Sequence, residues 1–179
     1  IVQLFAQAGH TVRVFDAFAD AVPKALASVH ALIEKGVVRG QFTAEQGAAF
    51  KAEIRPCKTL EELADCDVVI EAIVEDVAAK RALFIALENI VSRRCILTTN
   101  TSSLTVAEIA AGCRHPDRIA ALHFFNPVPL MKVAEVVPTV KTAPETVEVL
   151  RALVEHAGHR AVVAADQPGF LINHAGRGY

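Results

Sequence analysis

Tryptophan is absent from this 179-residue chain, methionine and tyrosine occur once each, and neither sign of charge is in excess. Eighteen Lys and Arg stand against 20 Asp and Glu, a formal net charge of -2. With a pI near 6.4, that balance excludes a nucleic-acid binder relying on bulk electrostatics. No apolar run reaches the roughly 18 residues that cross a bilayer, because Glu71 and Glu75 interrupt the greasiest stretch, so no membrane partner is expected. The few cysteines, Cys57, Cys66, Cys95 and Cys113, sit at spacings that fit no zinc or redox pattern. They read as reduced, mostly buried thiols of a cytoplasmic protein, and no metal is expected. Also lacking are an initiator methionine, a basic n-region and a signal h-region. The first residues carry the pattern of a helix interior and the last follow a helix start, so the chain reads as a fragment.

What is present is a large apolar fraction, 53% of residues, with a mean hydropathy of +0.36. That is ample for a core in one domain of roughly 150 residues plus a remainder. Ile1, Leu4, Phe5 and Ala8 share a helical face that Gly9 closes in a left-handed cap. Thr11 to Asp16 reads as a strand ending on an acid. A second helix has Pro23 in its first turn, Val22, Leu26, Val29 and Ile33 on one face, and Gly36 after it. Thr43 and Gln46 form a capping box opening a third helix, and Thr59 with Glu62 opens a short fourth.

Asp67 to Ile73, Cys95 to Thr99 and Ile119 to Phe124 read as strands. Helices from Val77 to Val91 and from Leu104 to Ala111, the latter with a Thr105–Glu108 box, separate them. This alternation implies βαβ crossovers and a mostly parallel, doubly wound α/β sheet of Rossmann-like type. Val133 to Val137 and Arg160 to Ala164 read as strands flanking a helix from Glu145 to His156. Asp166 to Gly169 is a turn or linker, and Phe170 starts something new. The expected division is a domain over 1–165 and a linker with first helical turns over 166–179.

Three places can carry chemistry. Asp16, ending a strand, can accept both hydroxyls of an adenosine ribose, and its charge disfavours a 2′-phosphate. It can equally be a solvated strand-end acid that starts a turn. His123 sits at the carboxyl end of a parallel strand, where open α/β sheets place ligands. Glu135, twelve residues on, is a lone carboxylate in an apolar strand, and Pro127 and Pro129 form a rigid turn able to bring it back beside His123. Paired, the carboxylate fixes the imidazole tautomer and stabilises an imidazolium. Unpaired, the two are a core histidine and an edge-strand acid facing water. The turn Asn100 to Leu104 also follows a strand; its hydroxyls cap the next helix, the favoured use of Ser103, or face a ligand.

Together, Asn100-Thr101-Ser102-Ser103-Leu104, the stretch from His123 through Glu135, and Pro168-Gly169-Phe170-Leu171-Ile172-Asn173 resemble the L-3-hydroxyacyl-CoA dehydrogenases. The bacterial 3-hydroxybutyryl-CoA and 3-hydroxyadipyl-CoA branch is the nearest likeness, and the resemblance spans essentially the whole chain. It implies NAD-dependent oxidation of (S)-3-hydroxyacyl-CoA in fatty-acid or aromatic-acid degradation. By the same resemblance His123 is the general base and Glu135 its orienting partner. Ser102 and Asn173 contact the acyl-CoA substrate, and Asp16, Glu75, Lys80 and Asn126 lie near NAD. Glu75 and Lys80 are otherwise an ordinary solvated pair at a helix start, Asn126 a turn residue, and Asn173 a polar residue at a helix start. Set against the family, the chain is expected to lack the first strand with its glycine-rich phosphate loop before Ile1. The helical domain that forms the homodimer is expected after Tyr179. Two alternatives remain: a non-catalytic fragment, or a structural member of the lens-crystallin kind.

Overall fold

A computed structural model describes residues 1–171; Asn173, expected to touch substrate, lies outside them. The chain divides into two compact units, Ile1–Leu63 and the residues from Ala64 onward, and each is taken by itself.

In the first unit, α1 (Val2–Gln7) leads to β1 (Val12–Val14), α2 (Ala21–Val38), α3 (Ala44–Ala52) and β2 (Ile54–Pro56). β1 and β2 pair in parallel with Val12 opposite Ile54. Their apolar side chains close over Ala6, Ile33 and Ile54, with Leu26, Val29, Phe42 and Phe50 against them. The Thr43–Gln46 box forms in both directions and starts α3. The segment after Thr59 makes a 3-10 turn, Leu60–Leu63, rather than an α-helix. Glu62 spends its carboxylate on the amides of Lys58 and Thr59.

Gly36 does not stop α2, which runs two residues further to Val38. A Cβ there would lie 2.1 Å from Cζ of Phe42, so the glycine permits a ring to lie on the helix backbone. The chain reverses instead at Gly40, whose φ of 68° is one that other residues adopt only at a cost.

The second unit is a five-stranded sheet in the order β3-β4-β5-β6-β7. Its strands are Val68–Glu71, Ile96–Thr99, Ile119–Phe124, Val133–Pro138 and Arg160–Val163. Between them run α4 (Val77–Glu88), α5 (Val106–Ala110) and α6 (Pro144–His156). β3 with β4, β4 with β5, and β6 with β7 are parallel. β5 and β6 are antiparallel, and their register sets His123 directly opposite Glu135. Every residue of β4 and β5 is buried, as expected for strands covered on both faces. Leu97, Ile119, Leu122, Val136 and Leu150 form this core.

Cys57 and Cys95 are buried, and Cys66 and Cys113 half-buried. Burial pushes the Cys95 thiol up to about 12 and the Cys113 thiol to about 11, which leaves both uncharged and poor nucleophiles. Among the described residues, no helix is long and apolar enough to cross a membrane.

Candidate active site

Parallel pairing brings the carboxyl ends of β3, β4 and β5 to one edge of the sheet, where Glu71, Thr99 and His123 are buried. At the end of β5, His123 Nδ1 lies 2.8 Å from Glu135 Oε2. Both side chains are almost wholly withdrawn from solvent, at 6% and 0% exposure. A carboxylate in its ionised form only accepts hydrogen bonds; facing one, Nδ1 is the donor and the Nε2 lone pair is left to take a proton. The second carboxylate oxygen, Oε1, accepts the amide of Leu171 at 3.0 Å. Rings close around the imidazole: Phe125 tilts against it at 4.5 Å between centroids, and Phe170 meets it edge-on at 5.6 Å. The reading of His123 as a core histidine beside a water-facing Glu135 is thereby corrected, because the antiparallel return of β6 pairs them.

At the ends of β3 and β4 a second charged cluster forms. Lys80, on the first turns of α4, places its ammonium 2.7 Å from Glu71 Oε1 and 3.3 Å from Glu75 Oε2. The Lys80 and Glu71 side chains are 1% and 0% exposed. The alternative of an ordinary solvated Glu75–Lys80 pair holds only for Glu75, whose side chain is 38% exposed; Lys80 is buried and turned inward onto Glu71. Glu71 Oε1 also accepts the Ile73 amide, and Oε2 accepts the Thr99 hydroxyl at 2.7 Å. No donor shortage is left at this buried carboxylate, which is the condition for burying it at all.

Glu75 organises the turn after β4. Its Oε1 accepts the Thr101 hydroxyl, the Ser102 amide, and both the amide and hydroxyl of Ser103. Ser103 therefore does not cap α5. Thr105 makes no side-chain cap either; its hydroxyl donates to Glu108. The first α5 amides, from Val106 and Ala107, go to the two oxygens of Asp166 at 2.7 and 2.8 Å. Beside them, Asn100 Oδ1 accepts the Phe124 amide and so ties the end of β4 to the residue after His123.

Burial alone pushes the Glu75 carboxyl up. The Thr101 and Ser103 hydroxyls, the Ser102 amide and the Lys80 charge together outweigh it and bring it from an ordinary 4.5 down to about 2. A folded value below the unfolded one means stability that is complete above pH 4.5 and lost as pH falls toward 2. Glu75→Gln is therefore expected to flatten the acid limb of a stability-against-pH curve between those values; an unchanged limb contradicts this.

The structure thus brings His123 and Glu135 together, and Glu75, Lys80 and the Ser102 amide together. Ser102 is exposed on its turn, and Asn126 is exposed in the turn that holds the cis Asn126–Pro127 bond. Asp16 lies in the first unit, exposed just beyond β1, with Oδ1 accepting its own loop's Phe18 amide. Sequence reasoning missed Glu71 and Asp166 as supports. Glu71 showed the same signal as Glu135, an acid in an apolar strand; Asp166 caps a helix 60 residues away and left no local trace.

Comparison with known proteins gives a consistent result. Residues 1–167 match the 3-hydroxyacyl-CoA dehydrogenase NAD-binding domain. The chain is 40% identical over its whole length to a 3-hydroxyadipyl-CoA dehydrogenase of Escherichia coli K12, of which it covers 38%. It is 39% identical over 97% of its length to a probable 3-hydroxybutyryl-CoA dehydrogenase of Bacillus subtilis, of which it covers 60%. The crystal structure of 3-hydroxybutyryl-CoA dehydrogenase from Escherichia coli K12 superposes on 98% of this chain with a TM-score of 0.96 and 39% identity, over 37% of that molecule.

Proposed function

The chain belongs to the 3-hydroxyacyl-CoA dehydrogenase NAD-binding domain family, and on that footing we propose that the whole protein oxidises (S)-3-hydroxyacyl-CoA to 3-ketoacyl-CoA with NAD. The observation that carries the reading is the buried His123–Glu135 pair at 2.8 Å, standing at the carboxyl edge of the sheet.

In the proposed mechanism His123 Nε2 takes the proton of the substrate hydroxyl. Glu135 then faces a developing imidazolium; at about 4 Å and an effective dielectric near 20 the attraction is on the order of 4 kcal/mol before desolvation is subtracted. The surrounding Phe125 and Phe170 rings keep water from the pair, so the attraction is screened less than at a surface. Ser102 and Asn173 are assigned to the reacting oxygen, where orienting it within reach of Nε2 lowers the entropic part of the barrier. Glu75 and Lys80 act on Ser102 through the turn they hold.

The donor chemistry of the chain fits a dinucleotide. An exposed carboxylate follows β1 at Asp16, with Phe18 fixing one oxygen, suited to a ribose diol. Lys80 and Glu75 supply a fixed cation and anion at the sheet edge, and Asn126 an exposed amide. NAD, toward which these residues are assigned, would supply the acceptor for the hydride leaving C3. As an enzyme of this kind the protein is read as acting in the cytoplasm, as a homodimer, within fatty-acid or aromatic-acid degradation.

The test is direct. The whole protein mixed with acetoacetyl-CoA and NADH is expected to consume NADH, and kcat/KM with NADPH is expected at least tenfold lower, since Asp16 would face a 2′-phosphate of like charge. Asp16→Ala should narrow that preference. Absence of turnover with any 3-ketoacyl-CoA sinks the proposal and favours a structural role.

A further inference from the structure

The segment from Asp166 to Leu171 is fastened at both ends to parts of the candidate site that are distant in sequence. At its start, the Asp166 carboxylate holds the Val106 and Ala107 amides, the first turn of the helix that follows the Ser102 turn. At its end, the Leu171 amide donates to Glu135 Oε1, while Glu135 Oε2 holds His123. Between these anchors Phe170 is fully buried, edge-on to the His123 ring. Its φ of 47° lies in the left-handed region that a bulky residue adopts only when its surroundings enforce it. The Phe170 amide donates to Gln167 O, which closes the turn.

We infer that Asp166 is a positioning residue: through the 166–171 strap it sets the Leu171 amide and the Phe170 ring, and through them the orientation of Glu135 and His123. The inference rests on the proton-transfer role proposed above. The Leu171 amide on Oε1 helps to hold the terminal torsion of the carboxylate whose other oxygen meets the imidazole, and Asp166 sets that donor. The same carboxylate anchors α5, so the strap sets the base and the Ser102 turn in register with each other.

The experiment uses Asp166→Ala and Asp166→Asn in the whole protein. It reads steady-state kinetics with acetoacetyl-CoA and NADH, and the far-downfield proton resonance of His123 Nδ1–H, assigned by its loss in His123→Gln. Asp166→Ala is expected to broaden that resonance or move it upfield. It should also lower kcat five- to twentyfold and leave KM for NADH within twofold. Asp166→Asn keeps one side-chain acceptor for the α5 amides and should restore kcat to within threefold of wild type. It also serves as the reading variant should the alanine protein not fold. A purely structural cap would lower thermal stability and leave the resonance unmoved; that result, with or without a loss of kcat, overturns the inference. If the wild-type protein shows no turnover while the resonance still responds to Asp166→Ala, the proposed activity fails and the strap stands.

Discussion

His123→Gln is expected to lower kcat for acetoacetyl-CoA reduction by a factor of about 10² to 10⁴, the usual contribution of a positioned general acid–base. Glutamine has similar reach and can still meet Glu135, so the fold around β5 and β6 should survive. What it cannot do is exchange a proton. Glu135→Gln is expected to cost less. A neutral acceptor can still hold Nδ1–H, but the charge facing the imidazolium is gone, and charge-assisted hydrogen bonds exceed neutral ones by roughly 1 to 2 kcal/mol, about five- to thirtyfold in rate. Because Glu135 acts only through His123, the two losses should not add: on the His123→Gln background, Glu135→Gln should change kcat by less than threefold. Steady-state NADH consumption by the four proteins measures all of this. Full activity in His123→Gln removes the base assignment, and additive losses separate Glu135 from it.

Much of this geometry was legible before any fold was known, and the reason lies in where the signals sit. His123 and Glu135 lie on consecutive strands joined by a short proline turn, so pairing them needed only a local reversal. The strands at Val133 to Val137 and Ile119 to Phe124 followed from apolar runs between turn residues, each broken once, by Glu135 and by His123, and β6 runs one residue further to Pro138. Helix ends were legible where a side chain caps its own helix, as Thr43 does with Gln46. They were not where the cap arrives from elsewhere. α5 begins two residues later than its apolar pattern suggests because Asp166, not a neighbouring hydroxyl, binds its first amides. Gly36 misled for a similar reason: glycine marks a helix stop locally, whereas here it makes room for a ring that follows the helix. The Glu71–Lys80 pair stayed hidden because Lys80 reads as a surface residue until the packing of α4 turns it inward.

That pair carries the largest expected effect on stability. Lys80→Met removes the ammonium 2.7 Å from a carboxylate with no exposure. The Ile73 amide and Thr99 hydroxyl remain on Glu71, but neither offsets a whole charge, and breaking a buried pair from one side costs about 3 to 5 kcal/mol. Methionine fills most of the lysine's volume, so little of the loss comes from a cavity. Glu71→Gln/Lys80→Met removes both charges and keeps an oxygen for the Ile73 amide and a side-chain amide for Thr99, whose hydroxyl accepts as readily as it donates. The double variant should recover more than half of the single variant's loss, since replacing a buried pair outright is often near neutral. Denaturant unfolding of the cofactor-free protein, run as a double-mutant cycle, gives the coupling directly. A Lys80→Met protein within 1 kcal/mol of wild type would mean that water reaches Glu71. The cluster would then be too wet to hold Glu75 and the Ser102 turn as rigidly as the geometry requires. The double variant separates the stability of the site from its chemistry: with Glu71 and Lys80 neutral, the fold should hold while the turn loses the cation that faces Glu75. KM for NADH should then rise while the His123 Nδ1–H resonance stays where it was.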